Sequence, residues 1–466
     1  MKTKFTVKIT ALLLVLVTLF SLTACDLGFL QQNTPPIESP KDELQSGIEN
    51  TPKDELPNYS YVYQYLLHWG ISGFNKKKVE YFEAVFKYYY NYEDGLPETL
   101  THAEDTAKLF LEKYYDTIDL EDAVAVTDAI LYCYVYSIED PYSYYRNMEE
   151  FQDFKDDMSG TFGGVGIQVE YNHNEETILV NQVFKDGPAD IGGMKVGDYI
   201  VAVDGKSLDE LGGYDKALNY VRGEIGTNVI VTVERHGTLI DITMTRALIE
   251  ESSVEYALTE EGYGYILITS FKANTAEQFI NAIEELEDLG AIGYIFDLRS
   301  NPGGYVYPVV DMMSYILPTG NTVISYSYKN QPTDYDKTHA DELPDDEKNL
   351  TNDHVIDLPM VIICNEYTAS AAEMFVSCLR DYRNSGLLEK VTIVGKTTFG
   401  KGIMQGSIGY SDDSYVTLTV AYHNPPSGIN YHGIGIAPDI EVEYTESGDA
   451  QLEEAIKQMN LLINSK

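Results

Sequence analysis

From residue 159 to about residue 248 the chain consists of short β-type segments separated by glycine and Asp-Gly turns, and this stretch constrains the fold most strongly. A helical stretch interrupts it near residues 214–222. The predicted strands span residues 166–171, 177–183, 199–203, 228–234 and 239–246. Such short strands and frequent turns predict a small, mostly β domain at 158–249 that folds apart from its flanks.

Two glycine motifs in this domain have the spacing seen in PDZ domains. The sequence FGGVGI at 162–167 opens the first strand, and GPA at 187–189 is followed by VGDYIVAVDG at 196–205. The domain therefore resembles a PDZ domain. This resemblance implies that a glycine-rich loop holds the C-terminal carboxylate of a peptide, and that the peptide adds a strand to an open sheet edge. The residues expected to bind the peptide C-terminus are Gly163, Gly164, Val165, Gly166 and Ile167.

The regions on both sides of this domain contain helices with recognisable ends. Within 119–134, six apolar residues repeat with the 3.6-residue period, and Asp119 is placed to cap that helix. The six residues are Leu120, Ala123, Val124, Ile130, Leu131 and Tyr134. A second helix is expected with Thr275 as its cap and Gly290 as its end. We predict an N-terminal helical region at 59–157.

Beyond the β domain, strands alternate with helices. Strand 293–297 ends in a turn that contains Gly303 and Gly304, and strand 361–364 leads into a helix that begins near Ser370. Backbone N–H groups at helix N-termini and in such turns can receive negative charge. Two strand-turn-helix units of this kind supply what acyl transfer needs, which is a nucleophile and donors for an oxyanion.

The motifs of the chain occur in the order found in C-terminal processing peptidases, also called tail-specific proteases. The chain resembles this family over roughly residues 140–445 through DPYSYY at 140–145, the PDZ motifs, DLRSNPGG at 297–304, TASAAE at 368–373, TFGKG at 398–402, PSG at 426–428 and GIAPD at 435–439. The resemblance implies a multidomain α+β fold, in which the PDZ domain precedes a crotonase-like or ClpP-like α/β peptidase core. We place this core at 250–446 and a C-terminal helix at 447–466.

The same resemblance implies a serine-type endopeptidase with a Ser-Lys dyad. It makes Ser370 the nucleophile, Lys401 the general base and Gln405 the residue that orients the lysine. A serine hydroxyl needs a neighbour that takes its proton, and a lysine can do so only as a neutral amine, which burial favours.

The oxyanion would be stabilised by backbone N–H groups of Gly303, Gly304 and Ala371. Taken alone, each residue of the predicted site has an ordinary explanation. Ser370 could be a helix cap, Lys401 a surface lysine and the two glycines a turn. Their joint occurrence favours the catalytic interpretation.

Three other residues could act as the base. Lys396 is a second lysine close to Lys401, and the spacing from Ser370 to Lys401 is slightly wider than expected of the family. His423 and His432 could in principle form a serine-histidine pair. We prefer Lys401 because its sequence context matches the family better.

The first 58 residues have the composition of an export signal followed by a spacer. Three lysines precede a short apolar run at 11–20, and the sequence LTAC ends at Cys25. This resembles a lipoprotein signal peptide at 1–24, which implies diacylglycerol on the Cys25 sulfur, cleavage before Cys25, and export. Residues 25–58 are rich in Pro, Ser, Thr and acidic residues and are predicted to form a flexible tether.

Cysteine content and charge limit the possible cofactors and partners. The remaining cysteines, Cys133, Cys364 and Cys378, are odd in number and lie among apolar neighbours, which predicts buried free thiols. No Cys/His spacing is typical of a metal site, so we expect neither a metal nor another cofactor. The formal net charge of −42 would repel nucleic acid.

Together, these features predict a membrane-tethered serine endopeptidase, lipid-anchored on the extracytoplasmic face, that binds and cleaves the C-terminal tails of exported proteins. The alternative is a catalytically inactive PDZ adaptor lipoprotein, for which loss of Ser370 or Lys401 would be the expected mark. Acyl-CoA chemistry is disfavoured because export separates the chain from CoA. The sequence leaves open the substrates, the preferred tail, the oligomeric state, whether PDZ binding activates the enzyme, and the role of the acidic insert at 329–357.

The lipid prediction can be tested by fractionation. Cys25→Ala removes the sulfur that would carry the lipid, so the protein should move from the membrane to the soluble fraction and retain its peptidase activity. Persistent membrane association of this variant would refute the lipobox interpretation.

Overall fold

A computed structural model describes residues 75–92, 122–138, 140–172, 177–339, 355–445 and 448–464. The predicted signal peptide, Cys25, the tether and residues 340–354 of the acidic insert lie outside the described residues. Within the described ranges, no helix combines the length and the apolar character needed to cross a membrane.

The helices, in chain order, are α1 (Lys76–Tyr89), α2 (Ala123–Ser137), α3 (Met148–Ser159), α4 (Pro188–Gly192), α5 (Tyr214–Val221), α6 (Thr275–Asp288), α7 (Tyr307–Ile316), α8 (Ala371–Ser385) and α9 (Ala450–Asn464). The strands are β1 (Tyr144–Arg146), β2 (Thr161–Gly164), β3 (Ile167–Asn172), β4 (Thr177–Val183), β5 (Tyr199–Val203), β6 (Lys206–Ser207), β7 (Asn228–Arg235), β8 (Thr238–Thr245), β9 (Ala247–Glu250), β10 (Val254–Leu258), β11 (Gly264–Ile268), β12 (Tyr294–Asp297), β13 (Thr322–Tyr328), β14 (Asp334–Lys337), β15 (Met360–Cys364), β16 (Val391–Gly395), β17 (Ile403–Gly409), β18 (Tyr415–Asn424) and β19 (Ile440–Glu441).

The chain divides into two compact units, and Phe154–Ser252 forms one of them. Its main sheet is antiparallel with the order β3-β4-β5-β7-β8, while β6 pairs with β5 and β2 pairs with β9. Alternate residues of β7 are buried, namely Val229, Val231 and Val233, as expected for a strand with one face on a core. The predicted PDZ range lies within this unit, and β3 forms one edge of its sheet.

The other unit comprises the residues on both sides of this insertion and contains two sheets. One has the order β10-β11-β12-β15-β16-β19 and is parallel from β11 onward. The second has the order β1-β18-β13-β14, with β17 paired to β18, and is antiparallel. Every residue of β12 and β15 is buried, which is typical of parallel strands covered on both faces. The largest core includes residues of α6, α7 and α8, and a separate cluster packs α9 against the same sheet.

Two of the predicted helix starts were wrong. Helix α2 begins at Ala123, not after Asp119, because the Asp122 side chain accepts the Val124 N–H at 2.8 Å and caps it there. Val124, which we placed on the apolar face of this helix, is 63% exposed, and Asp119 and Leu120 lie outside the described residues. Thr275 is the first residue of α6 and not its cap, because its hydroxyl accepts the Lys272 N–H from the preceding turn.

The three cysteines after Cys25 are free and buried, as the sequence predicted. Burial raises the pKa of each thiol, so these cysteines are inert core residues.

Candidate active site

Two neighbouring parallel strands, β12 and β15, bring the predicted turn and the predicted serine to the same edge of the sheet. The loops that follow these strands are tied together by hydrogen bonds. Thr368 donates its hydroxyl hydrogen to the Leu298 carbonyl at 2.8 Å, and the Ala369 N–H donates to the Asn301 carbonyl at 2.9 Å. The positions of both loops are therefore fixed by the sheet and by each other.

Ser370 is fully buried at the N-terminus of α8 and has the unusual backbone angle φ +57°. A non-glycine residue in this region costs on the order of 1–3 kcal/mol and persists only where its surroundings hold it. Gly303 lies directly against it, since a Cβ on Gly303 would fall 2.8 Å from the Ser370 Cβ. Only glycine fits at position 303, and its missing side chain allows the backbone of the turn to contact Ser370.

The carboxylate of Glu373 joins the serine to a second loop. One oxygen accepts the N–H groups of Ser370, at 2.9 Å, and Lys401, at 2.7 Å. The other accepts the Thr398 hydroxyl at 2.6 Å and the Gly400 N–H at 2.7 Å. Burial raises the pKa of Glu373, whereas the four donors favour its charged form. Glu373 thus fixes the backbone of both predicted dyad residues.

The side chains of Lys401 and Gln405 are both buried. The Lys401 Nζ lies 4.7 Å from the centroid of the Tyr142 ring. The Gln405 Nε2 donates to the Thr419 hydroxyl at 3.1 Å, and its Oε1 is buried without a hydrogen-bond partner in the described part of the chain. A buried acceptor of this kind suits an amine donor.

The three alternative bases have other roles in the structure. Lys396 is paired with Glu441 and Glu443, and its hydrogen bonds to these carboxylates raise its pKa, which keeps it protonated. His423 is fully enclosed, and burial lowers its pKa to about 3. Its Nε2 lies 3.0 Å from the Lys401 carbonyl, so this nitrogen carries the hydrogen and donates it.

The Nδ1 of His423 lies 3.2 Å from the Tyr431 hydroxyl, so both ring nitrogens are engaged in contacts that support the Lys401 backbone. His432 packs edge-on against the rings of Tyr92 and Tyr422.

The three predicted oxyanion donors differ in their surroundings. The Gly303 N–H donates to the Asn301 side chain at 2.9 Å and is already engaged. The N–H groups of Gly304 and Ala371 have no hydrogen-bond partner among the residues that the structure describes. Gly304 has φ +145°, and a Cβ there would fall 2.1 Å from the Phe271 carbonyl oxygen. The geometry therefore leaves Gly304 and Ala371 as the available donors.

The predicted carboxylate loop, residues 163–167, lies beside the free edge of the PDZ sheet. Gly163 and Gly164 belong to β2, and Ile167 begins the edge strand β3. The Val165 and Gly166 carbonyls accept the N–H groups of Ala189 and Phe184, whereas the Val165 and Gly166 N–H groups have no partner in the described ranges. The loop thus presents unused donors next to an open strand.

The sequence did not reveal the structural contacts of three residues that lie in the recognised motifs. Tyr142 lies beside Lys401, Asp140 binds the Tyr142 N–H, and Arg299 binds Asp449. Arg299 donates to the carboxylate of Asp297, the last residue of β12, and binds Asp449, just before α9, through two hydrogen bonds of 2.7 and 2.8 Å. It therefore fixes the C-terminal helix to the sheet. The signal was the charge pattern of DLR after a buried strand.

Comparison with known proteins identifies the family of the chain. Residues 262–442 match peptidase family S41, and residues 179–235 match a PDZ domain. The carboxy-terminal processing protease CtpA of Bacillus subtilis (strain 168) is 34% identical over 331 residues, which cover 71% of this chain and 66% of that protein. A carboxyl-terminal-processing protease of Synechocystis sp. is 31% identical over 313 residues, covering 66% of this chain and 69% of that protein. The chain belongs to the S41 family of carboxyl-terminal-processing proteases.

The predicted family and fold class are therefore confirmed, with a PDZ domain and an S41 peptidase core. The chain spans about two thirds of the length of these relatives. Among solved structures, the photosystem II D1 C-terminal processing protease is 24% identical with a TM-score of 0.42, and the match covers 78% of this chain and 92% of that one.

The role of Glu373 can be tested with Glu373→Gln. The amide nitrogen cannot accept a hydrogen bond, so two of the four donors lose their acceptor, at about 1–3 kcal/mol each. We expect a lower melting temperature and weaker activity, measured by thermal unfolding and peptide cleavage. Glu366→Gln makes the same charge change at an exposed position and should stay within about 0.5 kcal/mol of wild type. Equal behaviour of the two variants would contradict the role given to Glu373.

Proposed function

We propose that the protein is a membrane-tethered serine endopeptidase that binds C-terminal tails of exported proteins through its PDZ domain and cleaves them with a Ser370–Lys401 dyad. The observation that carries this proposal is the shared acceptor of Glu373, which holds the Ser370 and Lys401 backbones at one oxygen in a buried site. The relatives named as carboxy-terminal processing proteases support the same activity.

In the first step, the Ser370 oxygen attacks the carbonyl carbon of the scissile bond and its proton moves to the neutral Lys401 amine. Burial disfavours a charged lysine, so the 1% exposure of Lys401 supports a base that is neutral near physiological pH. In this mechanism the Gln405 Oε1, which has no hydrogen-bond partner in the described residues, becomes the acceptor of a Lys401 N–H during the reaction and thereby directs the amine lone pair toward the serine.

The negative charge that develops on the carbonyl oxygen is stabilised by the N–H groups of Gly304 and Ala371. The Ala371 N–H lies at the N-terminus of α8, and the Gly304 N–H lies in the turn after β12. Neither has an acceptor among the described residues. Donors fixed before the reaction need no rearrangement, and a single such donor contributes roughly 10²–10³-fold in kcat.

The Lys401 ammonium then returns its proton to the leaving amine, which departs with the C-terminal fragment. The remaining acyl group is an ester on Ser370. Water attacks this ester, Lys401 takes the proton of the water, and Ser370 is released as the hydroxyl. The same lysine thus serves as base and acid in turn.

The PDZ domain recognises the substrate. The N–H groups of Val165 and Gly166 bind the terminal carboxylate, and the tail pairs with the free edge of β3. Lipid on Cys25 holds the enzyme on the extracytoplasmic face of the membrane, where exported proteins pass.

The dyad predicts a distinctive set of variants. Ser370→Ala and Lys401→Ala should each lower kcat at least about 10³-fold, because each removes the nucleophile or its activation. Lys401→Arg should be as inactive as Lys401→Ala, because guanidinium stays protonated. Gln405→Ala should lower kcat less than these variants, because it leaves the nucleophile and the proton acceptor in place. Peptide cleavage assays measure these effects, and melting temperatures close to wild type control for folding.

For the wild type, kcat/KM should rise with pH through one ionisation well below the roughly 10.4 of a free lysine. Substantial cleavage by Lys401→Arg would eliminate this base and direct attention to Lys396 and the two histidines.

The PDZ role predicts that the charge of the tail matters. Amidating the C-terminus of a peptide substrate removes the carboxylate, so its binding should weaken, measured as a higher KM or Kd. Equal cleavage of the acid and amide forms of one peptide would argue against a carboxylate-binding loop.

A further inference from the structure

We propose that residues 140–143 position the general base, by fixing both the ring beside Lys401 and the amide that orients it. This inference rests on the proposed Ser370–Lys401 dyad. The segment lies far from the dyad in sequence, and none of its residues carries a role in the mechanism above. Its contacts nevertheless reach Lys401 through the Tyr142 ring and reach Gln405 through Thr419.

The first link is the buried carboxylate of Asp140. One of its oxygens accepts the Tyr142 N–H at 2.9 Å, and the other accepts the Ser143 hydroxyl hydrogen at 2.6 Å. A carboxylate with two such donors fixes the backbone and side chain of a tight turn. Asp140 therefore sets the positions of Tyr142 and Ser143 together.

The second link runs from Ser143 to Gln405. The Ser143 hydroxyl donates to Asp140, so its lone pairs are free to accept the Thr419 N–H at 3.1 Å. The Thr419 hydroxyl in turn accepts the Gln405 Nε2 at 3.1 Å. Because the amide nitrogen is held by Thr419, the Gln405 Oε1 is left buried and without a hydrogen-bond partner in the described residues, as an acceptor for the amine of the proposed base.

The third link is the ring of Tyr142. Its centroid lies 4.7 Å from the Lys401 Nζ, within the range of a cation–π contact. Such a contact favours the protonated amine, in opposition to burial. The position of the ring therefore influences how readily Lys401 gives and takes its proton.

Other groups also face Lys401. Glu373 binds its N–H from α8, and His423 on β18 binds its carbonyl oxygen. Neither contact involves Tyr142 or Thr419, and burial keeps His423 neutral over the working pH range. The Asp140 carboxylate, on the same segment as the ring, accepts the Tyr142 N–H.

Thr419→Val and Ser143→Ala test the hydrogen-bonded links. Thr419→Val keeps the shape of the side chain and removes the acceptor of Gln405, so kcat should fall about 10- to 100-fold with KM unchanged. Thr419→Ser retains the hydroxyl and should restore most of the activity. Thr417→Val is the matched control, because it breaks a similar bond, Thr417 to Ser407 at 2.8 Å, two residues away on the same strand.

Ser143→Ala should resemble Thr419→Val, and the double variant should be no worse than the worse single variant, because both act through Gln405. Tyr142→Leu tests the ring and should move the ionisation seen in kcat/KM down by roughly 0.5–1 pH unit, whereas Tyr142→Phe should keep the wild-type value. Melting temperatures identify any variant that fails to fold, and if Thr419→Val fails, the kcat of Ser143→Ala tests the same hydrogen-bonded link.

The outcomes separate this inference from the dyad itself. Wild-type kcat in Thr419→Val and Ser143→Ala, additive losses in the double variant, or an unshifted ionisation in Tyr142→Leu would overturn the positioning role and leave the dyad intact. An active Lys401→Arg would instead overturn the dyad.

Discussion

The buried carboxylate of Glu373 is the contact on which the arrangement of the site depends. It accepts four hydrogen bonds from two segments that are distant in sequence, the start of α8 and the loop between β16 and β17. Each donor is buried or nearly so, and an unpaired donor there would be costly. These four hydrogen bonds compensate for the burial of the carboxylate. They also fix the backbones of Ser370 and Lys401 relative to each other, which the proposed reaction between the two side chains requires.

The parallel sheet supplies the other half of this arrangement. Strands β12 and β15 end at one edge, and their loops are joined by hydrogen bonds before the helices begin. Gly303 and Gly304 allow the backbone to approach Ser370 and Phe271 more closely than any side chain would permit. The position of Ser370 is therefore fixed by the sheet and by the close approach of the backbone at the two glycines.

Much of this organisation was predictable from sequence pattern. Short β-type segments separated by glycine turns predicted the PDZ strands, and β4 and β5 span the predicted residues. Helix starts were harder, because Asp122 and Asp119 both suit a cap and only the local hydrogen bonds decide between them. At the site, motif order pointed to Ser370, Lys401 and Gln405, but it could not show that Gly303 donates to Asn301 or that four donors meet at Glu373. Such contacts join residues that only the fold brings together.

The proposed mechanism requires that burial keeps the Lys401 amine neutral, so that it can act as a base. The most direct test is an NMR titration of the protein labelled with ¹³C at lysine Cε, in the Ser370→Ala variant, with Lys401→Arg used to assign the resonance. We expect Lys401 to titrate well below the roughly 10.4 of a free lysine. A Lys401 resonance that titrates with the exposed lysines, or stays charged beyond them, would contradict the account.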